Sequence, residues 1–552
     1  MSQLPPAGAV APPFSLRDRG DREHTFADHP TDSPARVLFF FKHDCATCAL
    51  VAPLVERVCR ALMPTGLEVL AVSQSAEADT DAFAATHALT MPVTLDIDLE
   101  VSARYGFDTV PAFVLTTPAG VVLKSFEGWA KADFSDLIAL AAARCGTTTP
   151  GFERPGEPVP DQRPGCGSRA HEPDVARRRA VRRGEERLAS RRVRVPADDD
   201  LFEFLSDQGL TDGLPVVPPT EARVLKMLDG TSRAPDEIVA QVPPNLAPVT
   251  VEKVAINAVM AGCRPAYLPV VLAAVEAACT DAFNLHGVLA TTYFAGPVIV
   301  VNGPIRHEIG INCGRNAFGQ GSRANATIGR ALQLVVLNVG GGKPGDVDMS
   351  TLGQPGKFTC CIGENEEASC WDPLHVERGF DRDQSTVTVF AGEAPRAVRD
   401  QISRSARSLA TSIGLSLDSV AHVKLHGIGE VMLVVSPEHV RTFARDGFTK
   451  DDLRARIQET TARPLRELLP DDDCEKGMPR QAVPRDWIGA DGQPTAEALS
   501  RPIPKFSSPG DILIIVAGGT AGMFSAILGG WLSGTMGSVA VTRAITTPHS
   551  TT

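Results

Sequence analysis

Cysteine is scarce in this chain: 12 of 552 residues, about 2% and far below the content of a disulfide scaffold. None is needed as a staple, because a chain this long, 43% hydrophobic, can bury ordinary cores. Positive charge is also short. The 54 Lys and Arg face 66 Asp and Glu, a formal net charge of −12, which excludes a bulk nucleic-acid binder. The N-terminus, Met1-Ser-Gln-Leu-Pro-Pro, lacks the basic region and apolar run of a secretory signal. A cytoplasmic protein with reduced thiols is therefore expected. Gly-x-Ser-x-Gly and His-Glu-x-x-His are absent, which removes two hydrolase signatures. Gly340-Gly-Gly-Lys343-Pro344 lacks the Ser or Thr that a Walker A loop places after its Lys. Nothing in these patterns requires a cofactor or a resident metal.

One long uncharged run, Ile512–Thr542, is long enough to span a bilayer, but it holds seven glycines and opens on a β-branched cluster. A buried strand, a Gly-rich turn and a short packed helix are expected there, with no membrane contact.

Charge is unevenly spread. Residues 1–145 carry 11 basic and 18 acidic groups, and residues 146–196 carry 12 and 7. The first segment alternates apolar strands with helical patterns. Strands are expected at Arg36–Phe41, Leu67–Val72, Val93–Asp96, Ala112–Thr116 and Val121–Phe126, with helices at Ala46–Leu62, Asp79–Ala88 and Phe134–Ala143. That order implies an α/β sheet covered on both faces. Residues 147–197 read as a linker. Prolines 150, 155, 158, 160 and 164 favour extended chain, and nine arginines between Arg177 and Arg194 form a solvated run or a docking patch for an acidic partner. Residues 198–552 read as a larger α/β body, with a lobe break expected near 380. Apolar strands are expected at Pro297–Asn302, Leu332–Asn338, Thr386–Ala391, Val431–Ser436 and Ile512–Ala517, and a helix at Pro395–Ile413.

Phe39-Phe-Phe-Lys-His-Asp-Cys45-Ala-Thr-Cys48 carries the chain's one Cys-x-x-Cys, between an expected strand and an expected helix. Unpaired N–H groups and the macrodipole at a helix N-terminus favour negative charge, so Cys45 is placed to ionise. Cys48, one turn on, can attack a mixed disulfide formed at Cys45. Structural zinc would require a second close ligand pair, and no second Cys-x-x-Cys exists.

These residues resemble the thioredoxin superfamily, in its TlpA- or redoxin-like thiol-disulfide reductase branch. Ala11-Pro-Pro-Phe-Ser-Leu resembles the branch's entry segment, and Phe40-Phe-Lys-His-Asp-Cys45-Ala-Thr-Cys48 its active-site turn. Pro53 stands where the first helix is kinked, Tyr105-Gly-Phe-Asp-Thr-Val110-Pro111 where a cis-proline faces the dithiol, and Gly120–Gly128 where the terminal hairpin lies. Residues 10–145 are covered. The resemblance implies disulfide exchange, with Cys45 attacking, Cys48 resolving and Pro111 shaping the substrate groove. Asp44 and Ala46-Thr47 replace the usual Trp and Gly-Pro. The carboxylate disfavours a thiolate at Cys45 whereas Lys42 and His43 favour one, so the redox direction is open. The Pro-x-x-x-Thr-x-x-Cys pattern of peroxiredoxins is absent around Cys45.

The larger body resembles an uncharacterised bacterial family and inherits no activity from it. Two segments there are dense in reactive groups. Cys360-Cys361-Ile-Gly-Glu364-Asn-Glu-Glu-Ala-Ser-Cys370-Trp-Asp-Pro-Leu-His375 fits a substrate loop, a soft-metal site or a structural turn. Asn302-Gly-Pro-Ile-Arg306-His307 through Cys313-Gly-Arg315 and Arg323 begins where a strand ends, the usual place for ligands in open α/β sheets. Its arginines suit a carboxylate or phosphate. Cys166, in Pro164-Gly-Cys-Gly, is either a tethered thiol relaying oxidation state between the bodies or an incidental cysteine. Two functions follow. In one, the Cys45/Cys48 dithiol accepts a protein or small-molecule disulfide and feeds a thiol-dependent reaction in the fused body. In the other, clustered thiols capture a soft metal or electrophile and the dithiol regenerates them.

Overall fold

The computed structural model describes residues 4–548 except 27–32, 155, 173–174, 177–178, 180–182, 184–186, 197–198, 428, 471–482 and 534–536. The chain divides into two compact units, residues 1–191 and 192–552.

In the first unit the strands are β1 (Ser15–Asp18), β2 (Glu23–Thr25), β3 (Arg36–Phe41), β4 (Glu68–Ser73), β5 (Val93–Leu95), β6 (Thr109–Val110), β7 (Ala112–Thr116), β8 (Val122–Glu127), β9 (Trp129–Ala130), β10 (Gln162–Arg163) and β11 (Cys166–Gly167). The helices are α1 (Ala46–Leu62), α2 (Glu77–Thr86), α3 (Glu100–Tyr105) and α4 (Lys131–Arg144). Seven strands make one sheet in the order β2-β1-β5-β4-β3-β7-β8. β3 is parallel to β4 and β4 to β5, whereas β7 runs antiparallel to β3. All six residues of β3 are buried, as its uninterrupted apolar run requires of a central strand. Its Phe39 and Phe41 stack on Phe113 and Phe83, and Val51, Leu54, Val55 and Val58 of α1 close over the same core. This is a thioredoxin-like fold with α1 starting at the edge where β3 ends.

Residues 147–171 differ from the linker expectation. Phe152 joins the first unit's core against Trp129 and Phe134. Arg57 hydrogen-bonds the Phe152 carbonyl, Trp129 Nε1 donates to the Pro160 carbonyl at 2.7 Å, and β10 and β11 pair with β9 and β6. Proline-rich chain without periodicity still supplies edge strands and one aromatic anchor. Further on, part of the Arg177–Arg194 run lies outside the described residues. Arg179 is buried and donates to the Leu99 carbonyl at 3.1 Å.

The second unit stacks two four-stranded sheets. After the hairpin of β12 (Ile238–Val242) and β13 (Ala247–Thr250) come β14 (Gly296–Asn302), β15 (Cys361–Gly363), β16 (Thr386–Gly392), β17 (Arg396–Arg399) and β18 (Val431–Val435). A short pair, β19 (Arg463–Pro464) and β20 (Pro502–Ile503), precedes β21 (Ile512–Val516), β22 (Phe524–Gly529) and β23 (Val541–Ala544). The sheet orders are β15-β14-β16-β23 and β17-β22-β18-β21. Strand alternation explains the stacking. Met432, Val434, Leu513 and Ile515 share a core with Val298, Val300, Ile362 and Phe390 of the other sheet. The intervening Val431, Leu433, Ile512 and Ile514 pack with Leu409, Ile413, Phe443 and Leu453 from helices 406–417, 437–445 and 450–461. The chain changes sheet between β16 and β17, somewhat after the lobe break expected near 380, and β23 returns to the first sheet.

Two element expectations are corrected. Leu332–Asn338 is no strand: helix 323–335 runs into a wider turn over 336–340. Ser322 caps that helix by accepting from the Asn325 N–H, and buried Ala324, Ile328, Ala331, Leu332 and Val335 repeat at helical spacing. Pro395–Ile413 holds β17 before its helix begins at Ala406. Within Ile512–Thr542, β21 and β22 are strands joined by a Gly-rich turn, and the short helix expected there does not form among the described residues. No described helix is long and apolar enough to cross a membrane.

Candidate functional site

Cys45 is the residue before α1, with extended backbone (φ −99°, ψ 113°), and its Sγ accepts from the Cys48 N–H at 3.2 Å. The thiol therefore takes the capping position usually held by an oxygen, where orphan N–H groups stabilise a negative charge. A hydrogen bond from the Cys48 thiol lowers the Cys45 thiol to about 5 against the opposing effect of burial; the Cys166 thiol and the N–H groups of Cys48 and Thr47 act in the same direction. Burial, and then the neighbouring Cys45, push the Cys48 thiol far up. One sulfur is a thiolate at neutral pH and the other holds its proton. The Val110–Pro111 peptide is cis, and the Val110 carbonyl lies 3.5 Å from Cys45 Sγ. Cys45, Cys48 and Pro111 thus meet at one end of the sheet.

Asp44 does not oppose the thiolate as an isolated charge. Its carboxylate pairs with Arg169 at 3.1 Å and lies 3.8 Å from Lys42. Burial pushes its carboxyl up, but Arg169 and then Lys42 hold it below the usual range. Sequence reasoning missed Arg169 because the partner lies in the segment read as linker. His43 Nδ1 sits 3.0 Å from Ser75 Oγ.

Cys166 is half-buried beside this pair. Its strand β11 pairs with β6 in the register Cys166↔Val110, and Thr47 Oγ1 donates to the Pro164 carbonyl at 2.8 Å.

In the second unit the two reactive segments meet where β14, β15 and β21 end. The Glu364 N–H donates to the Val301 carbonyl and the Asn365 N–H to the Val516 carbonyl, so the chain after β15 bridges both sheets. The buried Glu364 carboxylate accepts from Asn302 Nδ2 at 2.7 Å and the Leu374 N–H at 2.8 Å, and burial raises its pKa. Arg306, 2% exposed, ion-pairs with Glu366 at 3.1 Å and Glu367 at 3.0 Å. Hydrogen bonds from Arg306, and then His307, against some burial, hold the Glu367 carboxyl down at about 2. The Cys313 carbonyl accepts from Gly518 N–H at 2.9 Å, and Arg315 packs on Gly519. The segments were legible; their joining through Arg306 and Glu364 was not.

The remaining predicted residues do not converge on one point. Cys361 is buried in β15, and Cys360 precedes it, half-buried; burial pushes the Cys360 thiol to about 12 and the Cys361 thiol well above its ordinary value. Cys370 is exposed. His375 is fully buried, with Nε2 3.3 Å from the Arg382 carbonyl. Among the described residues no three His, Cys, Asp or Glu side chains come together to hold a metal. Arg323 faces elsewhere. With Arg223, Lys226, Arg264, Met227 and Val259 it lines a cavity of about 620 Å³. Four cations beside apolar lining residues suit an anion with an apolar part. No motif marks it, because the cations come from three separated segments.

Known proteins match the first unit. The AhpC/TSA family model matches residues 7–125. The thiol-disulfide oxidoreductase ResA of Geobacillus thermodenitrificans is 29% identical over 122 residues, 22% of this chain and 69% of that protein. A secreted disulfide oxidoreductase of Mycobacterium tuberculosis is 19% identical, with a TM-score of 0.21, over 23% of this chain and 95% of its own. The thioredoxin domain of a thiol-disulfide oxidoreductase from Bacteroides vulgatus is 19% identical, with a TM-score of 0.22, over 24% and 96%. These matches support a thioredoxin-superfamily segment over residues 7–125.

Proposed function

We propose that the chain is a thiol-disulfide oxidoreductase in which Cys45 attacks a protein or small-molecule disulfide, Cys48 resolves the mixed disulfide, and Pro111 shapes the groove beside them. The observation that carries this reading is the Cys45 thiol at the α1 N-terminus, lowered to about 5, with a protonated Cys48 one turn on. A thiolate is the attacking species in disulfide exchange, and a neighbouring thiol converts the covalent adduct into product. The similarity of residues 7–125 to the AhpC/TSA family and to an oxidoreductase supports it.

The finer reading is that the electrons serve a thiol-dependent reaction in the fused second unit. Fusion supports it physically, since a tether holds two partners at an effective concentration of roughly millimolar. The Arg306–Glu366–Glu367 cluster and the half-buried Cys313 are the groups offered for that chemistry. The cytoplasm is the proposed compartment, supported by the low cysteine content.

The test is turnover of insulin disulfides by the full chain with dithiothreitol as reductant. Wild type should accelerate reduction, Cys45→Ser should abolish the acceleration, and Cys48→Ser/Cys166→Ser should accumulate a mixed disulfide. Equal rates for wild type and Cys45→Ser would refute the reading.

A further inference from the structure

The dithiol is covered by its own chain. Cys45 is 1% exposed and Cys48 fully buried, a poor position for a thiol that must meet an outside disulfide. The cover is residues 160–171. They are fixed along the groove by the Trp129 bond to Pro160, the Lys131 N–H to the Asp161 carbonyl at 2.8 Å, the Thr47 bond to Pro164, and the Ser168 N–H to the Asp108 carbonyl at 2.8 Å. Gln74 Nε2 donates to Ser168 Oγ at 2.9 Å, and Arg169 pairs with Asp44. Gly165 permits the closest approach: a Cβ there would lie 2.6 Å from the Val110 carbonyl oxygen. The segment pairs as an added strand with β6, a general way for an extended peptide to bind a sheet edge. At its centre stands Cys166, opposite Val110.

We propose that residues 160–171 are a built-in substrate strand, and that Cys166 is a third redox thiol exchanging disulfides with Cys45. This rests on the reading of Cys45 as the attacking thiolate. Cys45 Sγ lies 3.5 Å from the carbonyl oxygen of Val110, the residue that Cys166 faces across the β11–β6 pairing. Cys166 is also the more accessible of the two candidate resolving thiols, since Cys48 is sealed in the core.

The exchange balances. The Cys45 thiolate attacks a disulfide R–S–S–R′; the Cys45–S–R bond forms and R′S⁻ leaves. Cys166 then attacks Cys45 Sγ, its proton passing to the departing thiolates. The Cys45–Cys166 bond forms and RS⁻ leaves. One external disulfide is reduced to two thiols and one internal disulfide is made, a transfer of two electrons. Attack by Cys48 on Cys45 Sγ then yields Cys45–Cys48 and returns Cys166 as a free thiol, with no net change in oxidation state. The chain thus has two interchangeable internal disulfides, one buried and one on a strand that can carry its sulfur outward.

The test uses full-length Cys48→Ser and Cys48→Ser/Cys166→Ser proteins, oxidised with glutathione disulfide, quenched with acid and mapped by mass spectrometry. In Cys48→Ser the glutathione adduct at Cys45 should give way to an intramolecular Cys45–Cys166 disulfide, with an adduct lifetime ~10-fold or more shorter than in the double variant, as expected for a tethered thiol. An adduct equally long-lived in both proteins overturns the role of Cys166 and leaves the dithiol reading standing. Absence of any adduct at Cys45 in the double variant overturns both.

Discussion

Asp44 and Arg169 form an ion pair at 3.1 Å across 125 residues of sequence. The pair joins the residue beside the attacking cysteine to the strand lying over it. It therefore does two jobs: it neutralises a carboxylate that would oppose the Cys45 thiolate, and it pins the covering strand.

Arg169→Ala should consequently raise the pH midpoint of Cys45 alkylation, because the freed Asp44 charge disfavours the thiolate. Adding Asp44→Asn should return that midpoint toward wild type, while Cys166 stays more reactive than in wild type in both variants. Iodoacetamide labelling followed by peptide mapping measures both effects.

In the wild-type chain, Cys45 alkylation should reach half its plateau rate near pH 5 and be flat by neutrality, where an unperturbed thiol near 8.5 still climbs. The folded value lies below the unfolded one, so the associated stability is complete above the unfolded value and is lost as pH falls through about 5. The denaturation midpoint of Cys45→Ala should therefore lag wild type most near pH 9 and converge with it toward pH 5.

In the second unit, Arg306→Met should cost about 3 kcal/mol in urea unfolding, since it removes the buried cation paired with Glu366, which keeps only Asn302 Nδ2 and the Gly303 N–H as donors. Arg315→Met, an exposed control in the same segment, should cost less than ~0.5 kcal/mol.

Glu430 accepts from the Ala540 N–H at 2.7 Å, and burial raises its carboxyl to about 7. Its folded value exceeds the unfolded one, so stability is fully present below the unfolded carboxyl range and is lost as pH rises through about 7. Glu430→Gln should gain on wild type between pH 5 and 8, by up to ~3 kcal/mol on the conversion of 1.36 kcal/mol per pH unit. Urea midpoints at the two pH values check it.

The legible parts were those where a single segment carries its own signal. β3 and α1 have the expected bounds because an apolar run ends at Phe41, three polar residues lead to the capping Cys45, and a helical apolar pattern follows. Leu332–Asn338 misled because consecutive β-branched residues end a helix whose start, at Ser322, lies well upstream. The covering strand was illegible for another reason. Two-residue strands in Pro- and Gly-rich chain have no periodicity, and their place is set by partners such as Val110, Thr47 and Asp44 in distant sequence. The same holds for Arg306 and Glu364, whose segments could be named but not joined.

Disulfide mapping of the full chain across a graded series of glutathione redox buffers tests the central claim most directly. The account predicts a two-electron transition in which Cys45 passes from thiol to internal disulfide, abolished by Cys45→Ser. A Cys45 that remains a free thiol to the oxidising end of the series, or an unchanged transition in Cys45→Ser, would contradict it.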